Sequence, residues 1–201
     1  MRIIIVAAGP SEEVPLLKPF LFENTRVIGV DGGIATLVDQ GIDFDLAIGD
    51  FDSLGHIPTG AILHPAEKDE TDLELALRYV YEHYEVTELL IFGATGGRID
   101  MTLQNVYLLK QFPEARLVTK QADVRFLPEG RYEIEAEQYH YLSFIPLVST
   151  VLTLCGVKYP LMEQTVPVGG SLTVSNEWTR QRVADIRVQK GEILMIRSLA
   201  D

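Results

Sequence analysis

Residues 71–92 read TDLELALRYVYEHYEVTELLIF and are followed by GATGGRID at 93–100. Leu73, Ala76, Leu77, Val80 and Tyr84 recur at i, i+3, i+4, i+7 and i+11, which is one apolar face of a 3.6-residue period and predicts a helix over 72–84. Thr71 followed three residues later by Glu74 supplies a capping-box start. The run Glu88 to Phe92 then reads as a short buried strand. A glycine-rich turn follows it, and a second helix is expected from Met101 to Phe112, closed by Pro113. Helix, buried strand and helix in this order require parallel strands with helices on their faces.

Working outward, Ile3 to Ala8, Arg26 to Val30, Leu46 to Ile48 and Ala115 to Thr119 give further short apolar runs, read as buried strands. The first run has Arg2 before it. It holds only six apolar residues and meets Pro10, Glu12 and Glu13 at once, too short for a secretory core, so a buried strand is expected there. No apolar stretch approaches the roughly 20 residues of a membrane span. After Phe126 the pattern changes. Residues 131–135 and 172–174 alternate in period two, and Pro128 to Gly130, Pro146, Gly156, Pro160 and Gly169-Gly170 punctuate the chain as they do in antiparallel sandwiches or barrels. The expected fold is therefore α/β, a mainly parallel sheet with flanking helices over 1–127, followed by an antiparallel all-β sandwich or barrel over 128–201.

The 201 residues carry 17 Lys and Arg against 29 Asp and Glu, a net charge of -12. Residues 1–125 account for -10 of it and residues 126–201 for -2. That balance argues against a nucleic-acid partner or an anionic membrane, both of which need clustered Lys and Arg. It suits a cationic ligand or a metal ion. The single cysteine, Cys155, excludes an internal disulfide and a cysteine-rich zinc site; it fits a reducing cytoplasm, and a free buried thiol is expected.

Carboxylates gather where the expected strands end and the helices begin. Asp31-Gly32-Gly33 follows the second strand, and Gly49-Asp50-Phe51-Asp52-Ser53 follows the third. In extended backbone an i, i+2 pair such as Asp50 and Asp52 points to one side. Lys68-Asp69-Glu70-Thr71-Asp72 opens one helix and Gly96-Gly97-Arg98-Ile99-Asp100 the next. Open α/β sheets bind ligands outside the carboxyl ends of their strands, so these clusters are expected to converge. Any one Asp alone reads equally well as a helix cap or turn residue. Together they need protons or a cation, because two carboxylates 4 Å apart repel by about 4 kcal/mol at an effective dielectric near 20. Magnesium, which takes oxygen ligands and substrate phosphates, suits Asp50, Asp52, Asp72 and Asp100 better than zinc. The histidines His56, His64, His83 and His140 show no metal-ligand spacing. Gly93 to Arg98 is not a Walker A loop, since the Lys-Ser/Thr ending is missing. It can still cradle phosphate on backbone N–H groups, with Arg98 gripping phosphate oxygens, and it reads equally as a plain tight turn. Acidic ligands, a glycine loop and no Ser-His or Cys-His pair point to phosphoryl-type transfer.

At these residues the chain resembles the thiamine pyrophosphokinases. The resemblance rests on Asp31-Gly32-Gly33, Gly49 to Ser53, Lys68 to Asp72, Gly93 to Asp100 with Asn105, and Ser175-Asn176-Glu177, in the family's order across residues 1–180. It implies an α/β nucleotide domain followed by a β-sandwich thiamine domain, working as a homodimer. The implied reaction moves the terminal diphosphate of ATP to the hydroxyethyl group of thiamine, leaving AMP. The implied catalytic residues are Asp50, Asp52, Asp72 and Asp100, the first three holding Mg²⁺. Nucleotide contacts are implied for Asp31, Gly32, Gly33, Lys68, Gly96, Gly97, Arg98 and Asn105, and thiamine contacts for Thr71, Ser175, Asn176 and Trp178. Two positions depart from the family: Met101 stands where a His is frequent, and Ala8-Gly9-Pro10 carries one glycine where relatives often have two. Alternatives are a diphosphokinase acting on another heterocyclic alcohol, such as a hydroxymethylpterin, and a non-catalytic nucleotide- or thiamine-binding protein.

Overall fold

A computed structural model of the chain describes residues 1–51, 57–64 and 69–200. Asp52, Ser53 and Lys68 lie outside the described residues. The chain divides into two compact units, Met1–Lys120 and Gln121–Asp201.

In the first unit the expected strands form as β1 (Arg2–Val6), β2 (Arg26–Val30), β3 (Leu46–Gly49), β5 (Glu88–Phe92) and β6 (Ala115–Val118). A two-residue strand β4 (Ile62–Leu63) and the seven-residue helix α1 (Gly33–Asp39) join them; neither has a sequence signal long enough to read. The strands run parallel in the order β6-β5-β1-β2-β3-β4. Ile3, Ile4 and Ile5 at its centre are fully buried, which is why that stretch is apolar without alternation.

Helix α2 (Asp72–His83) starts as the capping box requires, with the Glu74 N–H donating to Thr71 Oγ1 at 3.2 Å. Its Leu73, Ala76, Leu77 and Val80 are buried, as their spacing demands. Helix α3 (Ile99–Leu108) is displaced from the expected 101–112. It begins directly after Arg98, and Leu109 to Phe112 form turns, with Leu109 and Phe112 buried, held by 3.3 to 2.9 Å bonds to the carbonyls of Val106, Tyr107 and Leu108.

The second unit comprises β7 (Ala122–Leu127), β8 (Gly130–Glu135), β9 (Tyr141–Pro146), β10 (Thr150–Cys155), β11 (Leu161–Val166), β12 (Asn176–Glu177), β13 (Val183–Lys190) and β14 (Ile193–Ser198). Strands β12, β9, β14 and β7 pair antiparallel in that order, and β11, β10, β13 and β8 form a second antiparallel sheet. Inward residues of both sheets, among them Leu142, Phe144, Leu152, Ile186, Ile193 and Met195, share one apolar core, so the unit is a sandwich. The units meet at Lys120–Gln121, before the 127–128 boundary expected from composition, because β7 pairs along its length with β14.

Two local expectations are corrected. Residues 172–174 form a turn instead of a strand: Leu172 and Val174 face outward, while the buried Thr173 is tied to β9 by its hydroxyl, which donates to the Phe144 carbonyl at 2.6 Å. Cys155 is exposed, since Thr150, Leu152 and Leu154 take the inward positions of β10 and leave the strand's last residue outside.

The sandwich contains a buried ion pair. Arg197 (1% exposed) donates to Asp123 (0% exposed) at 3.0 Å, and its guanidinium also reaches the Glu135 carbonyl and lies over the Tyr139 ring. Arg197 also donates to the partly exposed Glu137 carboxylate at 3.0 Å, so removing Asp123 leaves it partly paired and costs about 3 kcal/mol, the lower end for a buried pair that loses one partner. Asp123→Ala is therefore expected to lower unfolding free energy by about that amount in urea titration; a loss below about 1 kcal/mol would show that water or another group compensates Arg197.

Candidate active site

The parallel sheet reverses its strand order beside β1: β2, β3 and β4 lie to one side of it, and β5 and β6 to the other. The carboxyl ends of the central strands align, with Val6 opposite both Gly29 and Phe92. Such a reversal leaves a crevice where the two outgoing chains part. Here the outgoing chains first run side by side. The Ala7 N–H donates to the Phe92 carbonyl at 2.8 Å and the Gly9 N–H to the Gly93 carbonyl at 2.7 Å. A Cβ on Gly93, whose φ is +65°, would come 2.4 Å from the Ala7 oxygen, and a Cβ on Gly9 would come 2.3 Å from the Gly93 oxygen. Only glycine permits that approach at both positions.

The crevice is a cavity of about 730 Å³, formed among the described residues by the first unit alone. Ala7 to Pro10 follow β1; Asp31 follows β2; Asp50 follows β3; Glu70, Thr71 and Asp72 open α2; Gly93 to Thr95, Gly97 and Arg98 connect β5 to α3. Met101, Thr102 and Asn105 close the wall from α3. Asp31 and Phe51 hold left-handed backbone, with φ of 46° and 58°, at the turns that leave β2 and β3. Such conformations persist where surrounding structure imposes them, and they concentrate at functional sites.

The expected site residues separate into three groups. Asp31, Asp50, Thr71, Asp72, Gly97, Arg98 and Asn105 line the cavity. Gly32, Gly33, Gly96 and Asp100 do not. Gly33 serves packing, since a Cβ there would come 2.1 Å from the Val6 oxygen. Asp100 is exposed and accepts from Arg98 Nε at 3.1 Å; hydrogen bonding from Arg98 is the main cause holding its carboxyl below the usual range. Part of the Arg98 guanidinium is thereby turned toward Asp100. Asp52 and Lys68 fall outside the described residues.

Ser175, Asn176 and Trp178 belong to the second unit. The buried Asn176 accepts from the Tyr159 and Glu177 N–H groups at 3.0 and 2.9 Å and donates to the Tyr159 carbonyl at 2.9 Å, so it pins the connection between β10 and β11. Ser175 is exposed with φ of 57°, and its N–H donates to Ser143 Oγ. Trp178 is half-buried against the sandwich core, and its indole N–H has no partner among the described residues.

Glu70, Ala94 and Thr95 line the cavity within motifs expected there, whereas Thr102 was not expected in the site. The signal for Thr102 was its position: with Met101 and Asn105 it occupies one face of α3 at i, i+1 and i+4. Among the described residues no group of three or more His, Cys, Asp and Glu side chains is arranged to hold a metal ion. The wall nonetheless offers carboxylates and no His or Cys, a donor set that matches magnesium. The glycine loop ends at the N-terminus of the ten-residue α3, whose N-cap residue Arg98 makes no side-chain cap, while the Asp100 carboxylate accepts from its own N–H and that of Met101. Such an end favours an anion. A wall of carboxylates opposite an anion-seeking helix end is suited to a polyphosphate carrying a divalent cation.

Comparison with known proteins agrees with this arrangement. A family model described as the thiamin pyrophosphokinase catalytic domain matches residues 17–120, and one described as the thiamin pyrophosphokinase vitamin B1 binding domain matches 131–193. The chain is 41% identical over 209 residues to a thiamine pyrophosphokinase of Bacillus subtilis, covering 96% of this chain and 97% of that protein. A crystal structure of thiamine pyrophosphokinase from Bacillus subtilis superimposes with a TM-score of 0.91 at 38% identity, covering all of both chains. That from Geobacillus thermodenitrificans gives 0.88 at 35%, covering 100% of this chain and 98% of that one. The α/β unit followed by an antiparallel sandwich is the architecture of these relatives, and the chain belongs to the thiamine pyrophosphokinase family.

Proposed function

We propose that the chain transfers the diphosphate of ATP to the hydroxyethyl oxygen of thiamine, releasing thiamine diphosphate and AMP, with magnesium as cofactor. The observation that carries the reading is the cavity at the strand-order reversal, where Asp31, Asp50 and Asp72 face a glycine loop inside the segment matched by the catalytic-domain model. The triphosphate lies along Gly93 to Gly97, where backbone N–H groups and the N-terminus of α3 receive its oxygens. Arg98 adds charge-assisted donors. Asp50 and Asp72, with Asp52, hold magnesium. Bound there, it supplies neutralisation of charge on the phosphate oxygens as the transferred group is attacked.

In the reaction the thiamine alcohol oxygen attacks the β-phosphorus and gives up its proton to solvent, the bond from that phosphorus to the oxygen bridging it to the α-phosphate breaks, and AMP leaves with that oxygen. The residues of the chain contribute by positioning and electrostatics, because phosphoryl transfer needs no covalent enzyme intermediate. The acidic wall also favours a thiazolium cation. Thr71 at the cavity wall and Ser175, Asn176 and Trp178 of the sandwich are assigned to thiamine; the latter three lie within the segment matched by the B1-binding model. With its substituents already spent on Tyr159 and Glu177, Asn176 acts chiefly by shaping that site. We assign the active form to a homodimer in the cytoplasm, with no nucleic-acid or membrane partner. The net charge of -12 argues against those partners and the single cysteine fits a reducing cytoplasm; no helix among the described residues is long and apolar enough to cross a membrane.

Two measurements check this. AMP release from ATP should be coupled to thiamine and not to a hydroxymethylpterin; release with the pterin alone would refute the acceptor. Asp50→Asn and Asp72→Asn are each expected to lower turnover by at least about 100-fold with the fold retained by circular dichroism. Near-normal turnover in both variants would remove these carboxylates from the mechanism.

A further inference from the structure

Asn105 is the one residue of the cavity wall that combines deep burial with an unpartnered polar atom among the described residues. It is 7% exposed. Its Nδ2 donates to the Ala94 carbonyl at 2.8 Å, which fixes the orientation of the amide, because a carbonyl can only accept. That leaves Oδ1 buried with no hydrogen-bond partner, an arrangement folded proteins seldom tolerate unless another group completes it.

We infer that Asn105 reads the nucleoside part of the nucleotide, its Oδ1 accepting a hydrogen bond from a ribose hydroxyl or a base amino group. The chemistry selects the nucleoside over the phosphates, since a triphosphate near neutral pH presents acceptor oxygens almost exclusively and an amide oxygen cannot pair with them. The amide sits beside Ala94 at the start of the glycine loop, on the wall of the same cavity. Thiamine also carries a hydroxyl and an amine, and its KM in the variant is the readout that separates it from the nucleoside. Nδ2 meanwhile holds the Ala94 carbonyl, so one side chain fixes the start of the glycine loop and recognises the group beyond it. The inference rests on the assignment of this cavity to ATP.

The test is titration calorimetry, which needs no turnover, of the magnesium complexes of ATP, 2′-deoxy-ATP, 3′-deoxy-ATP and the analogue lacking the 6-amino group. Wild-type protein should bind one of the three analogues about 10-fold more weakly than ATP. Asn105→Ala should bind ATP about 10-fold more weakly and show no further loss with that same analogue, while the KM for thiamine stays unchanged. Equal binding of all four nucleotides by the wild type overturns the inference, and so does undiminished discrimination in the variant. A change confined to the thiamine KM would move Oδ1 to the acceptor instead and overturns it as well. Should Asn105→Ala fail to fold, the wild-type series decides alone. Absence of AMP formation by a wild type that still discriminates among nucleotides would count against the proposed reaction and leave Asn105 in place.

Discussion

The close parallel run of Ala7 to Gly9 against Phe92 and Gly93 is the constraint on which the site depends. Two backbone hydrogen bonds of 2.8 and 2.7 Å hold the segments together just beyond the sheet, with no side chain between them. Beyond these bonds Gly97 still lies beside Pro10, where a Cβ would come 3.6 Å from the proline ring, and both segments line the cavity. A side chain at Gly93 would meet the Ala7 oxygen, and the left-handed φ there adds strain to any replacement. The fully buried Ile3, Ile4 and Ile5 anchor one segment and Leu89 to Phe92 the other. Burying a side chain of this kind contributes about 1.5–3 kcal/mol, so the rigidity of the glycine loop derives from the core of the sheet.

Much of this was legible in the sequence because it rests on local patterns. The period of Leu73, Ala76, Leu77 and Val80 locates α2, and Thr71 with Glu74 locates its first residue. Unalternating apolar runs locate the buried strands, and the carboxylates after them locate the mouth of the sheet. What escaped the sequence was decided by tertiary contacts. Helix α1 is too short to show a period, and Gly33 is needed under the Val6 carbonyl, which the Asp-Gly-Gly pattern alone reads as a ligand loop. Residues 172–174 have strand-like alternation yet form a turn, because Thr173 bonds sideways to Phe144. The outward turn of Cys155 likewise follows from which residues of β10 point inward. Asn105 belonged to a recognisable motif, but only the folded chain separates its two roles, one amide hydrogen spent on Ala94 and one oxygen held in reserve.

The acidity of the chain also gains a location. Residues 1–125 hold ten of its twelve net negative charges, and Asp31, Asp50, Glu70 and Asp72 bring part of that charge to one cavity wall. Carboxylates grouped in this way are stable beside a cation, and Gly97 and Arg98, which lead into α3, line the same space with the opposite preference. On the proposed reading, an acidic protein binds a polyanion through a metal ion and a glycine loop instead of a basic surface.

The most direct test of this account is a crystal structure with thiamine, magnesium and an ATP analogue whose α,β-bridge cannot be cleaved. The account predicts the triphosphate along Gly93 to Gly97, with the metal between it and Asp50 and Asp72. A nucleotide bound elsewhere, or a triphosphate whose metal contacts neither aspartate, would contradict it.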